Sequence, residues 1–138
     1  MTERTLAIIK PDAVQRGIAA EIISRISDAK LRIVAIKSLR LTSVEAEGFY
    51  AVHRGKGFFA DLTNFMSSGK VIVLVLEAES GISLWRKTMG ATDPTKADAG
   101  TIRKDFGSSI QNNCTHGSDA PETAAFEIGY FFSGHELL

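Results

Sequence analysis

The chain has 138 residues and a mass of 14.9 kDa, with 44% hydrophobic and 23% charged residues; that mass scales to roughly 7,000 Å² of folded surface against about 21,000 Å² unfolded, enough for one domain with a sizeable core and too little for two. Sixteen Lys and Arg balance sixteen Asp and Glu, which excludes the diffuse attraction of a basic protein for nucleic acid or an anionic membrane, so any anion site must be local. The single cysteine, Cys114, excludes an intrachain disulfide framework.

Met1-Thr2-Glu3-Arg4 lacks the layout of a signal peptide, and the longest apolar run, Val71 to Leu76, falls far short of a membrane span. The expectation is a soluble cytoplasmic protein. Thr5 to Ile9 reads as a buried first strand stopped by Lys10-Pro11-Asp12, because proline removes a ladder donor. Ile22, Ile26 and Ala29 recur at helical spacing within Ile18 to Ala29. Leu31 to Leu41 changes to a period of two and predicts a long strand, with Leu31, Ile33, Ala35, Leu39 and Leu41 on one face and Arg32, Ser38 and Arg40 on the other, although Val34 and Ile36 make that second face partly apolar. Thr42-Ser43-Val44-Glu45 has the spacing of a capping box and opens a helix from about Ser43 to His53. Phe58, Phe59, Leu62, Phe65 and Met66 form a second apolar stripe, which Gly69 is placed to end. The continuous, β-branched Val71 to Leu76 suits a central strand covered on both faces. Gly81 to Met89 predicts a helix cut by Gly90, and a short helical piece follows around Thr101 to Phe106. Ser108 to Cys114 is strand or irregular. A last helix runs from near Asp119 to about Phe132. Helices alternating with a few strands predict an α/β sandwich.

Two phosphate-binding patterns fail. Ser68-Gly69-Lys70-Val71 lacks the first glycine and the hydroxyl of a P-loop, and Gly55-Lys56-Gly57 is a lone Gly-x-Gly. Asn113-Cys114-Thr115-His116-Gly117-Ser118-Asp119 is more informative. With Asp119 as N-cap, Glu122 takes the reciprocal position and Pro121 falls in the first turn. The positive end of that helix then opens beside His116, where phosphate oxygens are stabilised. Ala120, Ala124, Ile128 and Phe131 form the helix's apolar stripe, and Glu127 lies in its middle. A carboxylate facing inward needs a partner, and an imidazole at the helix mouth supplies one. On these residues alone His116 is a candidate nucleophile, beside the plainer reading of a loop histidine. Cys114, His116 and His135 lack zinc-site spacing.

Lys10-Pro11-Asp12, Gly90-Ala91-Thr92-Asp93-Pro94, Gly100-Thr101-Ile102-Arg103 and Asn113-x-x-His116-Gly117-Ser118-Asp119, in this order over essentially the whole chain, closely resemble the nucleoside diphosphate kinase family. The resemblance implies an α+β ferredoxin-like βαββαβ core, in which a four-stranded antiparallel sheet is covered by helices, as a single domain over residues 1–138. It implies transfer of the γ-phosphoryl group of a nucleoside triphosphate to a diphosphate through a phosphohistidine at His116, with Glu127 and Ser118 orienting the ring and Lys10 assisting. Arg86, Arg103 and Thr92 are similar to the phosphate-binding set, and Lys10 and Asn113 to groups that hold sugar hydroxyls and phosphate. Phe58 and Ile110 resemble the surfaces that sandwich the base, and Tyr50, His53 and Leu62 match positions around the same pocket. The family implies Mg²⁺ carried on the nucleotide phosphates rather than held by a protein cage, and a homo-oligomer, tetramer or hexamer, whose partners are nucleotides; the zero net charge and the short apolar runs argue against nucleic acid and membrane as partners. Gly57 stands where the family usually has proline, Lys70 where proline commonly follows Ser-Gly, and Asp93 replaces a frequent asparagine. The competing expectation is a nucleotide-binding regulatory protein that keeps the pocket without the chemistry.

Overall fold

Strand β1 (Thr2–Ile9) is buried from Thr5 onward because its side chains alternate between two cores. Leu6 and Ile8 enter one, and Ala7 and Ile9 the other. The computed structural model describes all residues, 1–138, with a surface of 7143 Å². Lys10 ends β1, and Pro11 takes the first position of a short helix, α1 (Pro11–Gln15), that the sequence reading left out. Proline costs nothing there because that amide has no intrahelical acceptor. Helix α2 (Ala19–Asp28) buries Ile22 and Ile26 and leads to β2 (Arg32–Arg40).

The one-faced reading of this second strand needs correction. A bulge between Ile33 and Ala35 breaks its register against β3 (Lys70–Glu79). An extra residue reverses which face each later side chain occupies. Leu31 and Ile33 therefore pack into one core, while Val34, Ala35, Leu39 and Leu41 pack into the other.

The predicted Ser43–His53 helix is α3 (Ser43–Phe49) followed by a 3₁₀ turn (Ala51–His53). Its capping box is present, with the Thr42 hydroxyl accepting from Glu45 N at 3.1 Å and the Glu45 carboxylate accepting from Thr42 N at 2.9 Å. Phe58 caps α4 (Phe59–Met66), which stops at Ser67, two residues before Gly69. Helix α5 (Gly81–Met89) ends on Gly90, whose φ of 90° places it in the left-handed region. Helix α6 (Ile102–Phe106) is capped by Thr101. Ser108 to Cys114 is irregular; the fourth strand is β4 (Thr115–Gly117), and helix α7 (Pro121–Phe131) follows. A 3₁₀ turn spans Gly134–Leu137.

The strands run β2-β3-β1-β4, and every neighbouring pair is antiparallel. That order, with α2 and α5 in the two crossovers, is the expected βαββαβ arrangement. Helices α2, α5 and α6 cover one face around Trp85, while α3, α4 and α7 contribute to the core on the other around Phe49 and Met66. This packing brings the end of β1, the short β4 and the Gly90 turn to one end of the sheet.

Candidate active site

His116 sits in the middle of β4, opposite Ile8 of β1, rather than in a loop. Two non-adjacent contacts hold its backbone and ring. The indole N–H of the fully buried Trp85 donates to the His116 carbonyl at 3.1 Å, and the Phe49 ring meets the imidazole edge-on at 5.4 Å. Gly117 permits this arrangement, since a β-carbon there would lie 2.6 Å from Trp85 Cδ1 and Met89 Cε. The imidazole Nε2 lies 2.9 Å from Glu127 Oε1, with only 17% and 14% of the two side chains exposed. The Ser118 hydroxyl donates to the same carboxylate oxygen at 2.8 Å and accepts from Leu6 N at 3.1 Å. Glu127 is thus reached from β1 through Ser118, and Nε2, not Nδ1, is the nitrogen it engages.

Two details of the α7 start differ from expectation. Ala120 is the N-cap, and the Thr123 hydroxyl, rather than Glu122, accepts from the Asp119 and Ala120 amides at 3.2 and 3.0 Å. The Asp119 carboxylate is used elsewhere, pairing with Arg86 at 2.7 Å. Pro121 occupies the first helical position as predicted. Of this helix start, only Asp119 lines the cavity in front of His116. The positive charge facing that cavity comes from side chains rather than from the helix end.

That cavity has a volume of about 400 Å³, and all ten residues that the sequence reading assigned to nucleotide binding line it. Lys10, Arg86, Arg103, Asn113 and Thr92 form its polar end with His116, and Tyr50, His53, Phe58, Leu62 and Ile110 are the other five of the ten. The polar end is tightly tied. Lys10 Nζ donates to Asn113 Oδ1 at 2.8 Å, and Asn113 Nδ2 donates to the Thr92 carbonyl at 2.9 Å. Cys114, in the left-handed region at φ 75°, accepts from Lys10 N through its carbonyl at 2.8 Å, closing the turn that brings Asn113 back to Lys10. Arg103, 8% exposed, donates to the Gly90 carbonyl at 3.0 Å and the Thr115 carbonyl at 2.8 Å, while its buried Nε has no partner.

These cations sit under electrostatic load. Burial, then the charge of Arg103, pulls the Lys10 ammonium down to about 8. Burial, then Arg86, pulls the Arg103 guanidinium down to about 10. Burial and the neighbouring Glu127 raise the Tyr50 phenol, keeping it neutral. At the other end, Phe58 is 49% exposed and Ile110 61% exposed, apolar surfaces left uncovered at the mouth. His53 lies 5.3 Å from the Phe58 ring and belongs to this wall.

Ser118 and Glu127 lie behind His116 and do not line the cavity. Gln111, Thr115, Gly117 and Asp119 line it without having been proposed as binding groups. Of these, only Asp119 had a signal: an acid three residues after a candidate nucleophile serves an arginine as well as it serves a helix cap. Asp93, in place of the family's frequent asparagine, accepts from Thr95 N at 3.0 Å and from the Thr95 hydroxyl at 2.7 Å, closing the turn before Pro94. No group of three or more His, Cys, Asp or Glu is arranged to hold a metal, and no helix is long and apolar enough to cross a membrane.

A family model described as nucleoside diphosphate kinase matches residues 3–137. Proteins named nucleoside diphosphate kinase from Geotalea daltonii and Geobacter sulfurreducens are 59% and 58% identical over 136 residues, covering 99% of this chain and 99% of each relative. The solved nucleoside diphosphate kinase of Aquifex aeolicus has a TM-score of 0.97 at 42% identity, covering 100% of both chains. That of Halobacterium salinarum, solved in complex with CDP, has a TM-score of 0.95 at 38% identity, covering 100% of this chain and 92% of the other. A match over nearly the whole sequence, on the predicted fold, shows that the chain belongs to the nucleoside diphosphate kinase family.

Proposed function

We propose that this chain moves the γ-phosphoryl group of a nucleoside triphosphate, typically ATP, to a nucleoside diphosphate in two half-reactions, through a phosphohistidine on Nδ1 of His116, and so maintains triphosphate pools. The observation that carries the reading is the Nε2 to Glu127 contact of 2.9 Å. A proton held between Nε2 and the carboxylate leaves the Nδ1 lone pair directed at an incoming phosphorus. In the first half-reaction an N–P bond forms at Nδ1 while the bond from the γ-phosphorus to the bridging oxygen breaks, and the diphosphate leaves with that electron pair. In the second, a terminal oxygen of a new diphosphate attacks the phosphorus and the N–P electrons return to Nδ1. The ring gains positive charge when the N–P bond forms, so Glu127 stabilises it most in the transition state, and Ser118 steadies Glu127 as a positioning residue.

Phosphoryl transfer is catalysed mainly by placement and charge stabilisation. Lys10, Arg86 and Arg103 surround the same end of the cavity as His116, and a guanidinium offers phosphate oxygens a planar fork of donors. Asn113 and Lys10 are the groups for sugar hydroxyls and phosphate, with Thr92 beside them. Phe58 and Ile110 would enclose the base, with Tyr50, His53 and Leu62 completing that wall. Apolar enclosure tolerates any base because each has a π-face. Mg²⁺ enters on the nucleotide phosphates as part of the substrate. The cavity's carboxylate, Asp119, is already paired with Arg86, so phosphate oxygens and water suit the ion better than protein oxygens do. The ion offsets phosphate charge.

The same reading makes residues 1–138 one kinase domain, cytoplasmic, with nucleotides rather than nucleic acid as ligands. It also makes the protein a homo-oligomer, tetramer or hexamer, for which the unpaired edge of β2 and its 48% exposed Ile36 are supporting features. Sedimentation equilibrium distinguishes the two assemblies. The mechanism is tested by incubation with γ-labelled ATP, which should leave an acid-labile, base-stable label that added GDP removes as GTP. His116→Ala should neither label nor turn over. Nucleotide binding without label exchange in the unsubstituted protein would favour a regulatory protein, and intact turnover in His116→Ala would overturn the mechanism.

A further inference from the structure

A second cavity of about 380 Å³ adjoins the first, and Arg86, Thr92 and Arg103 line both. Lys87 and Lys96 join the two arginines there, against a single acid, Asp98. Neither lysine makes a side-chain hydrogen bond or ion pair, and both are exposed. The backbone contributes as well, since the amides of Ala91 and Thr92, both lining residues, donate to nothing within the chain. Four cations and two free amides around one acid, in a chain whose net charge is zero, form a local anion trap. The cavity has no aromatic lining residue, and Ala91 is its sole apolar side chain. Phosphate oxygens have many donors here, and a base has nothing to stack on.

We propose that this second cavity is a binding site for a compact, base-free polyphosphate anion of the pyrophosphate class, separate from the cavity in front of His116 and coupled to it through Arg86. The coupling has a direct origin. Arg103 is buried and fixed by the Gly90 and Thr115 carbonyls, so it cannot turn from one cavity to the other. Arg86 is about half exposed and held by one ion pair to the largely exposed Asp119. An anion in the second cavity draws Arg86 away from Asp119 and from whatever occupies the first cavity. Binding itself does not rest on the kinase reading; only the effect on turnover does.

Isothermal titration with inorganic pyrophosphate at constant ionic strength tests the site. The protein should bind two pyrophosphates per chain, one in each cavity, and one when a nucleoside diphosphate occupies the first. Lys87→Gln with Lys96→Gln should remove one event, or weaken it at least tenfold, without changing uninhibited transfer. The charge-matched Lys30→Gln with Lys70→Gln should retain both events. Pyrophosphate should lower the transfer rate at saturating nucleotide in the unsubstituted protein and not in the Lys87, Lys96 double variant. A single pyrophosphate per chain, two events undiminished in that double variant, or equal losses in both double variants would overturn the site. Absent label transfer with two binding events intact would count against the kinase reading and leave the anion site standing.

Discussion

Glu127→Gln separates orientation of the nucleophile from nucleotide binding. Glu127 Oε1 is shared by His116 Nε2 and the Ser118 hydroxyl at 2.9 and 2.8 Å, and the side chain is 14% exposed, so water cannot fully replace it. The glutamine keeps the shape and one acceptor oxygen but loses the charge. A hydrogen bond to a charged group contributes about 1.5–3 kcal/mol, and about 1.4 kcal/mol is tenfold in rate, so enzyme phosphorylation should slow by roughly 10- to 150-fold. The carboxylate gains most when the ring becomes cationic, which assigns the loss to kcat with KM for ATP nearly unchanged. Quenched-flow single turnovers with labelled ATP measure the step directly. A phosphorylation rate within twofold of the unsubstituted protein, or a loss confined to KM, would refute the assignment of Nδ1 as the nucleophile oriented through Nε2.

Lys10, held near 8 by burial and then by Arg103, is charged below that pH in the nucleotide-free protein and neutral above it. KM for nucleotide should therefore rise between pH 7 and about 9, and Lys10→Met should flatten that rise; an equal rise in the variant would exclude Lys10 as its source. Arg103→Lys should lower kcat/KM and thermal stability together, because one ammonium cannot span the Gly90 and Thr115 carbonyls. An orphaned buried carbonyl costs about 1–3 kcal/mol, read as a lower melting temperature. Gly117→Ala should cost about 1–3 kcal/mol by overpacking, since the new carbon meets Trp85 Cδ1 and Met89 Cε at 2.6 Å. Its melting temperature should fall and its tryptophan emission shift, and an unchanged melt would contradict that packing.

Much of the fold was legible because local pattern and tertiary environment agree. Ile22 and Ile26 on α2, and Val71 and Val73 to Leu76 in β3, are buried as their pattern demands, with Ile72 partly buried. The failures fall where a non-local contact decides. Between Leu31 and Leu41 only the apolar Val34 and Ile36 on the otherwise polar face disturb the alternation, and they do not locate the bulge at Ile33 and Ala35, which depends on pairing with Leu76 and Val75. His116 reads as a loop residue because three-residue β4 is too short to show a period, and it is a strand only through its partners on β1. Asp119 has the chemistry of a cap, and Arg86, 33 residues away, takes it instead. The site divides in the same way. Glu127 was visible as an acid on an apolar stripe, whereas the Trp85 bond to the His116 carbonyl had no trace in the sequence.

Balanced charge over the whole chain and excess positive charge at one end of the sheet are compatible because the acids are spent elsewhere. Glu77 pairs with Arg4 and Arg32, Asp105 with Arg25 and Glu136 with Lys37. Lys10 and Arg103 are left with amide and carbonyl oxygens as acceptors, which satisfy donors but do not neutralise charge. Their lowered proton affinities are the mark of that deficit. A buried cation such as Lys10, where the nearby Asp12 does not outweigh burial and the charge of Arg103, destabilises the empty protein and is relieved when an anion arrives. Phosphate binding should accordingly restore the proton affinity of Lys10. Near pH 8, where the free ammonium is half titrated, nucleotide binding then draws protons from the buffer, and at pH 6, where Lys10 is already charged, this residue contributes none. The positive pocket is therefore one whose charge an anionic ligand would complete, which is what the proposed triphosphate chemistry requires of a neutral chain.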